Sequence, residues 1–103
     1  MERCITLNEN QDYLYYREGS GDTIEMWDLA VTSEKRKGNG RRLFQLLLER
    51  ENPRFVFGFT RQSNINARNF YKALGFTETF IPKMYEDEGA YLIAYENTLY
   101  RKV

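Results

Sequence analysis

The spacing of apolar residues along this chain changes from a strand-like to a helix-like period and back. Arg3 to Leu7 and Tyr13 to Arg17 read as short strands, with the polar run Asn8-Glu-Asn-Gln as a turn between them. Gly19-Ser-Gly-Asp is a hairpin turn leading into a third strand, Thr23 to Val31. From Asn39 to Glu51 the residues Gly40, Leu43, Phe44 and Leu47 share one stripe, which predicts an amphipathic helix that Asn52-Pro53 ends. The apolar run Phe55 to Phe59 predicts a buried strand. Ser63 or Asn64 should cap a second helix whose stripe is Ala67, Phe70, Tyr71 and Leu74. Gly75 then stands as its C-terminal glycine, followed by the apolar Phe76. Two last strands, near Phe76 to Ile81 and Tyr91 to Asn97, complete the order βββαβαββ. This is an α+β fold, a mostly antiparallel sheet carrying two helices.

Composition narrows the chemistry. With 103 residues the chain forms one domain. Fifteen basic and fifteen acidic residues balance, so the overall charge favours neither nucleic acid nor an acidic membrane. The chain has no histidine and one cysteine, Cys4. His-based metal sites, Ser-His or Cys-His catalysis and an intrachain disulfide are therefore excluded, and no metal is expected. No apolar run reaches membrane-spanning length and the polar N-terminus does not read as a signal peptide, so a cytoplasmic protein is expected.

Against that neutral background one segment is strongly basic. Lys35, Arg36, Lys37, Arg41 and Arg42 cluster at the start of the first helix, whereas Glu49 and Glu51 come at its far end. This polarity opposes the helix dipole and becomes favourable when a polyanion sits at the N-terminus. Gly38 and Gly40 allow φ > 0 and a close approach of backbone N–H groups. The segment has neither the P-loop spacing nor the G-x-G-x-x-G fingerprint, since Leu43 occupies the third glycine's place. A strand, this basic loop and a helix together predict a pyrophosphate cradle. A solvated basic loop with a glycine turn is the plainer reading.

Two motifs make the chain resemble the GNAT superfamily of N-acetyltransferases, which bind acetyl-CoA. Lys35-Arg-Lys-Gly-Asn-Gly40 is similar to that family's Q/R-x-x-G-x-G/A pyrophosphate motif, with Lys in the first place. Asn64, Ala67, Phe70, Tyr71, Gly75 and Phe76 match its N-x-x-A-x-x-F/L-Y-x-x-x-G-F motif. The resemblance spans about residues 12 to 98, without the family's usual first strand and two following helices. It implies an acetyl-CoA-dependent N-acetyltransferase that acts on a primary amine by direct transfer in a ternary complex. It also implies that Lys35, Arg36, Lys37, Gly38, Asn39, Gly40 and Arg41 hold the pyrophosphate. Backbone N–H groups at Leu29 and Val31 would face the acetyl carbonyl, and Asn64 the pantetheine arm.

Two residues are implied as catalytic. Glu25 stands at the distance from Ala30-Val31 of a general base in some members, and by alternation shares a face with Trp27, Leu29 and Val31; a water-facing edge glutamate is the equal alternative. On the same alternation Asp28 points to the opposite face and is the weaker base. Tyr71 corresponds to the tyrosine that protonates the departing thiolate, against the reading of a core tyrosine on an apolar stripe. The acceptor, a small amine, a peptide amine or a protein lysine, is not identified by the residues. A non-catalytic acyl-CoA-binding or protein-interaction module is the alternative function. Without covering helices the aromatic strands would expose an apolar face, which predicts a homodimer or another partner-completed form.

Overall fold

The computed structural model describes residues 2–7, 11–31 and 38–101. Strands β1 (Glu2–Leu7), β2 (Asp12–Glu18) and β3 (Thr23–Val31) lead into α1 (Asn39–Glu51). Then come β4 (Phe55–Arg61), α2 (Ile65–Leu74), β5 (Thr77–Ile81) and β6 (Ala90–Glu96). The α+β class and the order βββαβαββ are those expected from the sequence. All six strands form one sheet in the spatial order β1-β2-β3-β4-β6-β5. Every seam is antiparallel except β3–β4, which is parallel because α1 carries the chain back across the sheet.

Both helices pack on the same face. The stripe of α1 buries Gly40, Leu43, Phe44 and Leu47 against Leu14 and Tyr16 of β2, Ile24 and Met26 of β3 and Val56 of β4. Phe44 lies edge-on to Tyr95 with ring centroids 5.0 Å apart, and 5.2 Å from Phe76. Asn64 caps α2 by accepting a hydrogen bond from the Ala67 N–H at 3.2 Å. At the other end Gly75 takes φ 102, and the Phe76 N–H donates to the Tyr71 carbonyl, which turns the buried Phe76 into the core.

Among the described residues no helix lies over the second face of the sheet. In β4 the residues Val56, Gly58 and Thr60 are buried, while Phe55 and Phe59 remain 37% and 38% exposed. The buried strand expected here is thus buried on one face only. Tyr15 and Trp27 add to the same open face at 48% and 49% exposed.

Two irregularities in β3 set which side chains reach each face of the sheet and where the sheet opens. Tyr15 pairs with Asp28 and Tyr16 with Met26, so Trp27 has no residue opposite it on β2. Such a β-bulge shifts the alternation by one. Ile24 and Met26 face the helices; beyond the bulge Leu29, opposite the buried Leu14, and Val31, opposite the buried Asp12, face them too. Glu25 and Asp28 therefore share the open face, each opposite an exposed β2 residue, Arg17 or Tyr15. This overturns the reading that Glu25 shares a face with Leu29 and Val31 while Asp28 points away.

The second irregularity is the brevity of the parallel seam. β3 and β4 pair only at Thr23–Phe55, Ile24–Val56 and Glu25–Phe57 and then diverge into a wedge. Gly58 sits at the apex, where an added Cβ would lie 3.0 Å from the Met26 carbonyl oxygen. Gly58→Ala is expected to cost about 1 kcal/mol of stability through this overpacking. Urea titration checks it, and an unchanged midpoint would mean the strands open freely.

Candidate active site

The wedge holds a cleft of about 140 Å³. Met26, Asp28 and Leu29 form one wall, Gly58, Phe59 and Thr60 the other, and Asn64, Ala67 and Tyr71 of α2 close it on the helix side. Leu29, Ala67 and Tyr71 also border an adjoining apolar cleft of about 250 Å³, which Val31, Gly40 and Phe70 complete. A narrow passage between parting strands thus widens toward the start of α1. Along it, from Met26 to Val31, β3 has no strand partner on its β4 side among the described residues.

At the start of α1, Gly38 occupies the cap position with φ 71 and ψ 22, and being a glycine it offers no side-chain cap of its own. The first helical hydrogen bond runs from the Arg42 N–H to the Gly38 carbonyl at 2.9 Å, so the N–H groups of the turn before it point out of the helix. The first turn carries no acidic residue of its own. One is supplied from β2: Asp12, fully buried, accepts a hydrogen bond from the Asn39 amide nitrogen at 3.0 Å. Part of the charge complement that the helix lacks locally therefore comes from a strand. Asn39 serves Asp12 with its side chain, and Arg41 is exposed beside it. Lys35, Arg36 and Lys37 lie outside the described residues.

The two glycines of the basic segment serve different ends. Gly38 takes the left-handed conformation, and a Cβ there would meet nothing within 4 Å. Gly40 is helical and buried, and a Cβ there would come within 2.9 Å of the Phe70 ring. The expectation that both supply positive φ is corrected for Gly40, which lets α1 and α2 close on one another. Gly38→Ala should cost about 1–2 kcal/mol, the ordinary strain of a left-handed L-residue. Gly40→Ala should instead push Phe70 into the apolar cleft. Melting curves and calorimetry with CoA would separate the two; equal loss of CoA affinity in both would refute the division.

Tyr71 stands where the two clefts meet. Burial, with the charge of Asp28 adding to it, pushes its phenol up to about 12. Its hydroxyl bonds to no described residue, yet no buried polar side-chain atom in the described structure lacks a partner, so the hydroxyl opens into the cleft. Glu25, the other residue expected to be catalytic, is placed elsewhere. It forms an ion pair with Arg17 at 2.7 Å and borders a groove on the open face with Thr23 and Phe57. Asp28, ranked lower from the sequence, lines the wedge with Tyr71 and accepts a hydrogen bond from the Tyr13 hydroxyl at 3.2 Å. Asn64 combines helix capping with a place on the cleft wall. Nothing in the residue pattern signals the bulge that moves Asp28.

Among the described residues no three His, Cys, Asp or Glu side chains gather as a metal site, and no helix is long and apolar enough to cross a membrane.

Solved structures with the same fold carry a consistent description. The ribosomal-protein-S18-alanine N-acetyltransferase of Escherichia coli is 26% identical over 88% of this chain and 64% of its own, with a TM-score of 0.73. A Bacillus anthracis protein assigned as a streptothricin acetyltransferase, solved with acetyl coenzyme A, is 21% identical over 88% of this chain and 60% of its own, TM-score 0.74. A Desulfovibrio desulfuricans protein assigned to the GNAT family as an acetyltransferase superimposes with a TM-score of 0.81 at 18% identity, over 92% of this chain and 68% of its own. The chain thus spans about two thirds of the length of these structures. No curated protein matches it. The model of the GNAT acetyltransferase family matches residues 4–76, which takes in the bulged strand, α1 and Tyr71. With sequence motifs, fold and cleft all agreeing, the chain belongs to the GNAT acetyltransferase family.

Proposed function

We propose that the chain is an acetyl-CoA-dependent N-acetyltransferase that passes the acetyl group directly to a primary amine. The observation that carries this reading is the wedge between β3 and β4, which joins the N-terminus of α1 to a tyrosine hydroxyl inside one passage. The N–H groups of the first turn of α1, with Lys35, Arg36, Lys37 and Arg41, receive the pyrophosphate. The apolar cleft beside Gly40 and Phe70 suits the pantetheine arm, with Asn64 further along the passage on the wall of the wedge. The unpaired edge of β3 around Leu29 and Val31 offers backbone N–H groups to the acetyl carbonyl. Tyr71, a phenol that is protonated at neutral pH, gives its proton to the departing thiolate. A carboxylate of β3 takes the proton of the acceptor.

Small amines, peptide α-amines and lysine peptides, each offered with acetyl-CoA while free thiol is measured, test the proposal. Turnover with one class names the acceptor. CoA binding by calorimetry with no thiol release from any amine favours the acyl-CoA-binding module, and no CoA binding removes both readings.

We place the protein in the cytoplasm and infer that it works as a homodimer or with a partner over the open face. The exposed rings of Tyr15, Trp27, Phe55 and Phe59 support this, since burying apolar surface returns roughly 25 cal/mol per Å². Sedimentation at micromolar concentration should show a species heavier than the 12.3 kDa chain. A monomer throughout would remove the dimer.

A further inference from the structure

We propose that Asp28, and not Glu25, is the carboxylate that takes the proton from the acceptor amine; the assignment rests on the proposed transfer reaction. Geometry carries it. The bulge at Trp27 turns Asp28 into the mouth of the wedge, on the same passage as Tyr71 and Asn64. Tyr13 fixes one carboxylate oxygen, Oδ2, by donating its hydroxyl at 3.2 Å. Glu25 lies where β3 and β4 are still paired, and Arg17 holds it at 2.7 Å while stacking 4.8 Å from the Trp27 ring. The groups facing Asp28 are Tyr13 and Tyr15 from β2, Tyr71 from α2 and the uncharged stretch Gly58, Phe59 and Thr60 of β4. The exposed rings of Trp27 and Phe59 flank it, an environment that attracts an alkylammonium ion by its charge and by cation–π contact.

The reaction balances on these groups. The acceptor arrives as an ammonium ion and Asp28 takes one proton, which passes to solvent. The nitrogen lone pair then forms the N–C bond to the thioester carbon, and the C–S bond breaks with its electrons on sulfur. Tyr71 gives that sulfur a proton, and the second proton leaving nitrogen restores the phenol. Amide, free thiol and one released proton result.

The test uses Asp28→Asn, Asp28→Glu and Glu25→Gln in the full chain, with acetyl-CoA and whichever amine the wild type turns over. Asp28→Asn should lower kcat/KM for the amine roughly 100-fold near neutral pH. The deficit should shrink as the pH approaches the amine's own pKa, about 10.4 for a lysine, because water then removes the proton. KM for acetyl-CoA should hold, and Asp28→Glu should recover part of the rate. In ¹³C-tyrosine NMR titrations, Asp28→Asn should bring the Tyr71 pKa down from about 12, since its charge is one cause of the shift. A pH-dependent loss confined to Glu25→Gln, or an Asp28→Asn enzyme with unchanged rate and unchanged Tyr71 titration, overturns the assignment alone. A wild type that acetylates no amine overturns the transfer reading together with the role of Asp28 in it.

Discussion

Tyr71→Phe should lower kcat and kcat/KM together by about 10²–10³-fold while leaving the affinity for acetyl-CoA nearly unchanged. The hydroxyl makes no hydrogen bond to a described residue, so the ring keeps its packing on Phe70 and Phe76 with centroids 5.2 Å from each. What disappears is a proton donor inside the cleft, and a general acid contributes in this range. An interaction made only in the transition state reduces both constants equally. The raised pKa also fixes the sign of the pH response. Below about 12 the phenol is protonated, so Tyr71 adds no alkaline loss of activity near neutrality. Single-turnover kinetics would check the rate, and calorimetry the affinity. A variant that turns over normally but melts earlier would return Tyr71 to a purely structural role.

Leu43→Ala should remove about 2–5 kcal/mol, the cost of truncating a fully buried leucine in a core that relaxes little. Leu43 stands in the α1 stripe between Gly40 and Leu47, where the helix meets β1, β2 and β3. Against a total of about 5–15 kcal/mol for a domain of this size, the loss is a large fraction. Urea unfolding should show a lower midpoint with an unchanged slope, and a changed slope would show that the denatured or native state had altered as well.

Helices and turns were legible because their signals are local. The period of Gly40, Leu43, Phe44 and Leu47 needed no tertiary information, and α1 runs from Asn39 to Glu51 as expected. Asn64 and Gly75 marked the ends of α2 through chemistry that acts within four residues. Alternation along β3 was legible only as far as Met26, because a bulge arises from pairing with β2 and leaves no trace in composition. The same holds for the wedge. That β3 and β4 meet side by side and then part depends on Gly58 lying against the Met26 carbonyl, a contact between residues 32 positions apart. Asp12 illustrates the point from another direction. The basic N-terminus of α1 read as lacking an acid, and the acid was contributed by a strand 27 residues earlier.

The brevity of the parallel seam bears on how the molecule holds together. In the sheet, three paired positions join a meander, β1 to β3, to a second unit made of β4, β5 and β6, and the core under α1 spans the two. Such a joint is where partial opening costs least, so each unit is expected to behave as its own cooperative block. A molecule lying in the wedge touches both blocks and is released if they part. Its binding energy therefore opposes their separation, adding about 2.7 kcal/mol at a hundredfold excess over its dissociation constant. Under the proposed function acetyl-CoA would be a clasp as well as a reactant, and the loaded protein is expected to unfold as one block where the empty one opens at its seam.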